Sequence, residues 1–276
     1  SRSSKKSRSS LIVAVAMSML ICFVLILQAL LRGKNVALLN PKGLIAQQQH
    51  NLLVFSVILL LTIAIPTLIF LYSTAWKYRD SSPRAIHNPA NNRSKLLVLS
   101  MWLLPTIFML ILASVMIPAT HKLSPQKTIA TDTEPLTIQV ISLRWKWLFI
   151  YPDQKIATIN FVQVPINTPV TFELTADETP MSSFWIPNIG GQLYSMTGHV
   201  NRLNLMAEKA GDYTGSTAEI NGAGFAGMRF TTRASNNEDF DHWVEEVKKS
   251  PDILDNDTYS NLLKPSKRNT IKLPSR

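Results

Sequence analysis

Three long apolar runs in the first 117 residues restrict what this chain can fold into. Residues 11–31, 52–72 and 96–117 contain no charged side chain. About 20 apolar residues cross a bilayer as a helix, and the first run exceeds the roughly 7–15 apolar residues of a signal peptide. Pro66 and Pro105 interrupt the later runs, as membrane helices tolerate. The pattern predicts an N-terminal signal or anchor span that stays uncut, followed by a two-helix transmembrane hairpin.

The charge distribution indicates a membrane partner and argues against nucleic acid. The net charge of the chain is +10. Residues 1–117 carry 12 Lys and Arg against the single acid Asp80, whereas residues 118–276 carry 16 against 17 acids. The basic excess therefore lies beside the apolar runs, where positive residues mark the inner side of a membrane. Residues 73–95 are more basic than residues 32–51, which predicts that everything after residue 117 lies outside, in the periplasm of a Gram-negative cell.

The second half of the chain has the pattern of an all-β domain. Apolar and polar residues alternate from residue 136 onward, in segments that are separated by turn signals such as Gly190-Gly191 and Asn221-Gly222. Such short, evenly spaced strands are typical of a sandwich or barrel. The predicted strands cover residues 136–140, 143–149, 158–164, 170–175, 202–207, 213–219 and 227–234.

A helical arm is predicted after the last strand. Phe240, Trp243, Val244 and Val247 repeat at helical spacing, and Asn237 is the predicted N-cap. A second short helix is predicted near residues 259–263. The basic residues after 266 are predicted to be a disordered tail.

One loop motif carries the most specific functional information. Thr217, Asn221, Phe225 and Met228 follow one another at spacings of x3, x3 and x2, and Ser182 lies five residues before Pro187. This frame resembles the copper loop of cytochrome oxidase subunit II, where Cys-x3-Cys-x3-His-x2-Met and an upstream His hold two copper ions. The resemblance implies a cupredoxin-like Greek-key domain.

Nearly all of the copper ligands are replaced in this chain. A copper electron-transfer site needs thiolates and imidazoles, and only Met228 keeps a side chain that could be a ligand. The single cysteine, Cys22, lies in the first apolar run. A subunit II without copper is similar to the one in bo-type haem-copper ubiquinol oxidases, which take electrons from quinol inside the membrane. The stretches W-K-W-L-F-I-Y-P, F-W-I-P-N-I-G and G-A-G-F-A-G-M-R-F and the helical arm support this resemblance.

The resemblance implies a subunit without a catalytic side chain or cofactor of its own. Haems, the copper of the oxygen site and the main quinol site would belong to the large subunit I, with subunits III and IV, membrane lipid and ubiquinol as further partners. Two further family positions are changed. Lys34 replaces the lipid-bearing Cys, so we expect no lipid there. Val98 replaces a Glu near the proton-uptake path.

The expected domain organisation follows from these patterns. It comprises a basic tail (1–10), an anchor span (11–31), a transmembrane hairpin (32–117), a cupredoxin-like periplasmic domain (118–234), a helical arm (235–266) and a disordered tail (267–276). The function expected from the resemblance is that of a subunit of a proton-pumping ubiquinol oxidase in the bacterial inner membrane, which caps its large subunit. One alternative is a stand-alone membrane-anchored assembly or binding protein. Another is a cytochrome c oxidase subunit, and the missing copper ligands argue against it.

Overall fold

The structure is a computed structural model that describes residues 36–79, 82–83, 95–265 and 274–275. Two compact units are distinguished, Ser1–Asn40 and Pro41–Arg276. The described part of the first contains a short 3-10 turn, Ala37–Leu39. The predicted anchor span and Lys34 lie outside the described residues.

Two long apolar helices open the second unit. Helix α1 covers Leu44–Lys77 and helix α2 covers Lys95–Lys122. Both are long and apolar enough to cross a membrane, which agrees with the predicted hairpin. Their surfaces carry exposed large apolar side chains, including Ile69, Phe70, Trp102 and Leu110. In water such surfaces would be costly, and in a bilayer they contact lipid tails.

Eleven strands are described, and nearly all belong to the β-domain that follows. They are β1 (Leu136–Leu143), β2 (Lys146–Tyr151), β3 (Ile156–Ile159), β4 (Phe161–Pro165), β5 (Val170–Ala176), β6 (Ser182–Trp185), β7 (Gln192–Ser195), β8 (Asn201–Leu205), β9 (Gly211–Thr217), β10 (Arg229–Ser235) and β11 (Pro274–Ser275). One sheet has the order β11-β3-β2-β1-β5-β8 and the other β4-β10-β9-β6-β7. The β1–β5 and β4–β10 pairs are parallel and the other pairs antiparallel. The predicted all-β sandwich is confirmed.

The structure corrects two details of the predicted strands. Residues 158–164 were expected to be one strand, but Asn160 has a φ of 54° and separates β3 in one sheet from β4 in the other. Asn tolerates this left-handed conformation better than most residues, and its side-chain Oδ1 accepts a hydrogen bond from the backbone N–H of Trp147. Strands β6 and β7 were not predicted, because four residues are too few for alternation to be recognised.

Aromatic rings fill the space between the sheets. Phe184 stacks on Phe230 with ring centroids 5.0 Å apart and meets the edge of Trp147 at 5.3 Å. Phe149 and Phe172 surround the same ring. All five are buried. Aromatic rings in such edge and offset arrangements contribute beyond the area that they bury, so this cluster is the centre of the domain's stability.

The helical arm packs back onto the sandwich. Helix α3 covers Asn237–Lys248 and helix α4 covers Asn256–Leu262. Asn236 caps α3 by accepting a hydrogen bond from Asp239 N, so the predicted cap at Asn237 was one residue too late. On α4, the Tyr259 hydroxyl donates to Asp177 at 2.5 Å. Burial first, and then the Asp177 carboxylate, raise the pKa of Tyr259 above its usual value.

The β-domain caps the first membrane helix. The first N–H groups of a helix have no partner within it, and the N-cap Gly43 provides no side-chain bond. Leu44 N instead donates to Met206 O and Ala46 N to Ile189 O, both at 3.1 Å. Lys42 N also donates to Asn188 O at 2.7 Å. Backbone bonds therefore tie the start of α1 to two loops of the β-domain.

We expect the substitution Gly190→Ala to break this attachment. Gly190 has a φ of 108°, and a Cβ there would stand 2.6 Å from Ala46 N. Backbone strain of this kind costs about 1–3 kcal/mol, and the collision with backbone adds to it. The matched control is Gly198→Ala, where φ is 75° and nothing lies within 4 Å of the added Cβ. Thermal unfolding of the full chain in detergent should show a clearly larger decrease in melting temperature for Gly190→Ala than for Gly198→Ala. Equal decreases would contradict the close contact between Gly190 and the start of α1.

Candidate functional site

The motif positions Ser182, Asn221 and Met228 meet in a buried cluster. Asn221 Nδ2 donates to Ser182 Oγ at 2.8 Å and to Met228 Sδ at 3.1 Å. Ser182, the first residue of β6, is also hydrogen-bonded to Ser142 Oγ of β1 at 2.8 Å. All four residues are buried. The structure thus brings together residues from both sheets and from the β9–β10 loop.

Thr217 lies at the edge of this cluster and faces its own loop. Its Oγ1 accepts from Ser183 N at 3.4 Å and donates to Glu219 O at 3.3 Å. Its backbone N–H donates to Met228 O at 3.2 Å. The threonine therefore shapes the loop where it leaves β9, and backbone bonding places it beside Met228.

Phe225 is the motif residue that the structure places on the outside. It begins a 3-10 turn, Phe225–Gly227, and its side chain is 36 % exposed. Gly224 precedes the turn and Gly227 ends it. A residue at this position can project from the loop, while Asn221 and Met228 project inward.

Trp145 covers the outer side of the same loop. A Cβ at Gly224 would stand 2.3 Å from the Trp145 indole, and one at Gly222 would stand 3.2 Å from it. Trp145 itself has a φ of 62° in the two-residue turn between β1 and β2. A bulky residue in the left-handed region is a genuine outlier. The close approach of the ring therefore requires glycine at 224, and the φ of 131° favours glycine at 222.

The atoms that meet in the cluster are hydroxyl oxygens, an amide and a thioether. Hydroxyl and amide oxygens suit hard cations, whereas a copper pair needs thiolates and imidazoles. Within the described ranges 36–79, 82–83, 95–265 and 274–275, no three His, Cys, Asp or Glu side chains form a group that could hold a metal ion. What the cluster can do chemically is donate and accept hydrogen bonds.

One participant in this site, Ser142, was missed from the sequence, and so was the turn at Trp145. Ser142 is a small polar residue between Ile141 and Leu143 in a strand that is buried on both faces at this end. A polar residue inside such an apolar strand is a usable signal for a buried hydrogen bond. The left-handed conformation of Trp145 had no signal, because Trp is rare in that region of backbone space. Val98, the predicted proton-path position, lies in the first turn of α2.

Comparison with known proteins identifies the family. Residues 154–234 match the family model for the periplasmic domain of cytochrome c oxidase subunit II. A cytochrome bo(3) ubiquinol oxidase subunit 2 from Pseudomonas putida is 43 % identical over 246 residues, which cover 89 % of this chain and 78 % of that protein. The chain belongs to the ubiquinol oxidase subunit 2 family. This confirms the resemblance drawn from the sequence and the expectation of a respiratory quinol oxidase subunit.

Further relatives agree with the subunit 2 family. The ubiquinol oxidase subunit 2 of Acetobacter aceti is 39 % identical over 239 residues, which cover 86 % of this chain and 78 % of that protein. Among solved structures, the periplasmic domain of cytochrome oxidase subunit II from Bradyrhizobium japonicum is 25 % identical. That match has a TM-score of 0.41 and covers 45 % of this chain and 98 % of that one. By the family model and the subunit 2 relatives, the sandwich is the β-domain of a subunit 2 protein, preceded by two apolar helices.

Proposed function

We propose that this chain is the copper-free subunit II of a proton-pumping ubiquinol oxidase, and that its part in the complex is structural. The oxidase would oxidise ubiquinol and reduce oxygen to water. Haems and the copper of the oxygen site would lie in the large subunit, and this chain would pack against that subunit and cap its outer face. Subunits III and IV and membrane lipid are the further proposed partners.

One observation carries the proposal that this subunit has no copper. Ser182, Asn221 and Met228 occupy three motif positions, and Asn221 Nδ2 donates to Ser182 Oγ at 2.8 Å and to Met228 Sδ at 3.1 Å. A side chain that is already engaged with its neighbours, and that offers no thiolate or imidazole, does not hold a copper pair. We therefore take Ser182, Thr217, Asn221 and Phe225 as vacated ligand positions, with Met228 retained.

The location of the chain follows from the same proposal. The two apolar helices would cross the bacterial inner membrane, and the positive residues between them favour an inner side for that connection. The β-domain and its arm would then stand in the periplasm. Lys34 and Val98 imply that lipidation at residue 34 and a carboxylate at residue 98 are absent from this subunit, with the first apolar run kept as an anchor.

Affinity purification through this chain tests the proposal. From membranes of the cells that express it, a tagged full chain should bring down a haem-bearing large subunit that consumes oxygen with ubiquinol as donor. Metal analysis should give only the copper expected for the oxygen site. Recovery of the chain without haem would favour a stand-alone membrane protein, and faster oxidation of cytochrome c than of ubiquinol would favour a cytochrome c oxidase.

A further inference from the structure

The loop between β9 and β10, residues 218–228, is bonded at its two ends by backbone groups, Ala218 N to Ser183 O and Thr217 N to Met228 O. Between these ends, the side-chain amide of Asn221 holds its inner side. The Asn221 side chain is buried, and its Nδ2 supplies both hydrogens, one to Ser182 Oγ and one to Met228 Sδ. Ser182 continues to Ser142 on the other sheet. One side chain therefore connects the loop to β6, to the residue that precedes β10 and, through Ser182, to β1.

All of the hydrogen bonds described for the Asn221 side chain are donated by its Nδ2. Asn221 Oδ1 is buried and has no hydrogen-bond partner among the described residues. A buried acceptor without a partner costs free energy, so the amide is retained for what Nδ2 does. Removing the two donated hydrogen bonds should therefore loosen the loop even when the volume of the side chain is kept.

The outer side of the loop is held by the Trp145 ring. The indole lies against Gly222 and Gly224, so close that no Cβ fits at Gly224. Trp145 has a left-handed backbone with a φ of 62°. Such a conformation is costly for a bulky residue and persists only where its surroundings hold it. The ring contacts the loop at Gly222 and Gly224 and also packs against the core of the sandwich, and these contacts hold it in place.

We propose that Asn221 and Trp145 form a two-sided clamp that keeps loop 218–228 closed without a metal. Asn221 forms the inner side of the clamp, called the inner jaw, and holds the loop through hydrogen bonds. Trp145 forms the outer side, called the outer jaw, and holds the loop through contacts of its ring. Both are positioning residues for the loop. The inference rests on this geometry alone and does not depend on the function proposed above.

Oxidation of Met228 by hydrogen peroxide tests the inner jaw in the full chain. Met228 is fully buried, whereas Met181 is 40 % exposed and serves as the internal reference. Asn221→Leu keeps the branching of the side chain, is larger and donates nothing. In this variant, peptide mass spectrometry should show Met228 oxidised about tenfold faster, because the local opening that exposes Met228 no longer has to break two buried hydrogen bonds. The Met181 rate should not change.

A second variant and a control make this test decisive. Asn221→Asp keeps the shape and the volume of the side chain and, at a pH where the carboxyl is ionised, donates neither hydrogen bond. It should therefore accelerate Met228 oxidation even if Asn221→Leu fails to fold. Asn204→Ala removes another buried amide, one that bonds Thr171 and Pro125 far from the loop. It should leave the Met228 rate unchanged. An unchanged Met228 rate in the Asn221 variants, or an equal increase in Asn204→Ala, would overturn the inner jaw.

Hydrogen exchange tests the outer jaw. Trp145→Gly relieves the left-handed backbone but removes the ring, whereas Trp145→Phe keeps a ring. Amide exchange in residues 218–228 should become about tenfold faster in the glycine variant and change less in the phenylalanine variant. If the loop in Trp145→Gly exchanges at the wild-type rate, then the ring does not hold it.

Discussion

Restoring the four missing ligands should restore a copper centre. The variant carries Ser182→His, Thr217→Cys, Asn221→Cys and Phe225→His, with Met228 and Glu219 unchanged. Ser182, Asn221 and Met228 already converge, and Thr217 is joined to Met228 through the backbone. Two thiolates at these positions could bridge two copper ions, and soft ligands set the metal preference. We expect the full chain to bind two copper ions and to become purple through a thiolate-bridged, mixed-valence absorption.

The background and the control of this experiment follow from the sequence. Cys22 is replaced by serine in all chains, so that the introduced thiols are the only ones. A double variant with Ser182→His and Phe225→His but no thiols should bind copper weakly and without an intense visible band. Copper should also raise the melting temperature of the fourfold variant, because it replaces the Asn221 contacts. If the fourfold variant bound copper only as separate mononuclear ions, Thr217, Asn221 and Phe225 would not correspond to the copper-ligand positions of the family.

Truncating the central ring of the core should cost much of the stability of the β-domain. Phe184 is fully buried and contacts four other aromatic rings. Replacing a buried Phe by Ala typically costs about 3–5 kcal/mol, because the lost transfer free energy adds to that of the cavity. Domains are stable by only about 5–15 kcal/mol. Phe184→Ala should therefore shift the denaturant midpoint of the β-domain strongly, as followed by tryptophan fluorescence of the full chain.

Phe225→Ala is the matched comparison for Phe184→Ala. It makes the same chemical change on a ring that is 36 % exposed at the loop surface. Its cost should be a small fraction of that for Phe184→Ala, since less apolar area leaves water on folding. Similar costs for the two variants would mean that the loop ring packs as tightly as the core ring, contrary to the structure.

Local sequence patterns were sufficient to predict much of the structure of this molecule. Apolar runs at residues 52–72 and 96–117 predicted two membrane helices, and the structure extends them to Leu44–Lys77 and Lys95–Lys122. Alternation predicted most strands because side chains of a half-buried strand point to opposite faces in turn. The spacing of Thr217, Asn221, Phe225 and Met228 indicated the family, because it is a property of one continuous loop.

Other features depended on residues that are distant in sequence. Asn160 divides a segment that reads as one strand, because β3 and β4 find partners in different sheets. The cap of helix α1 comes from carbonyl groups near residues 189 and 206, which no pattern around Leu44 could reveal. Local side-chain patterns do not reveal such backbone contacts.

The sequence by itself determined the membrane helices, the all-β class of the second half and the absence of Cys and His at the motif positions. Only the tertiary structure decided what the replacing residues do. Ser142 reaches Ser182 across 40 residues of chain, and Asn221 reaches Ser182 across 39. The physical reason is that a buried polar group must find its hydrogen-bond partner wherever the two sheets place one, and that placement is set by the packing of the whole sandwich.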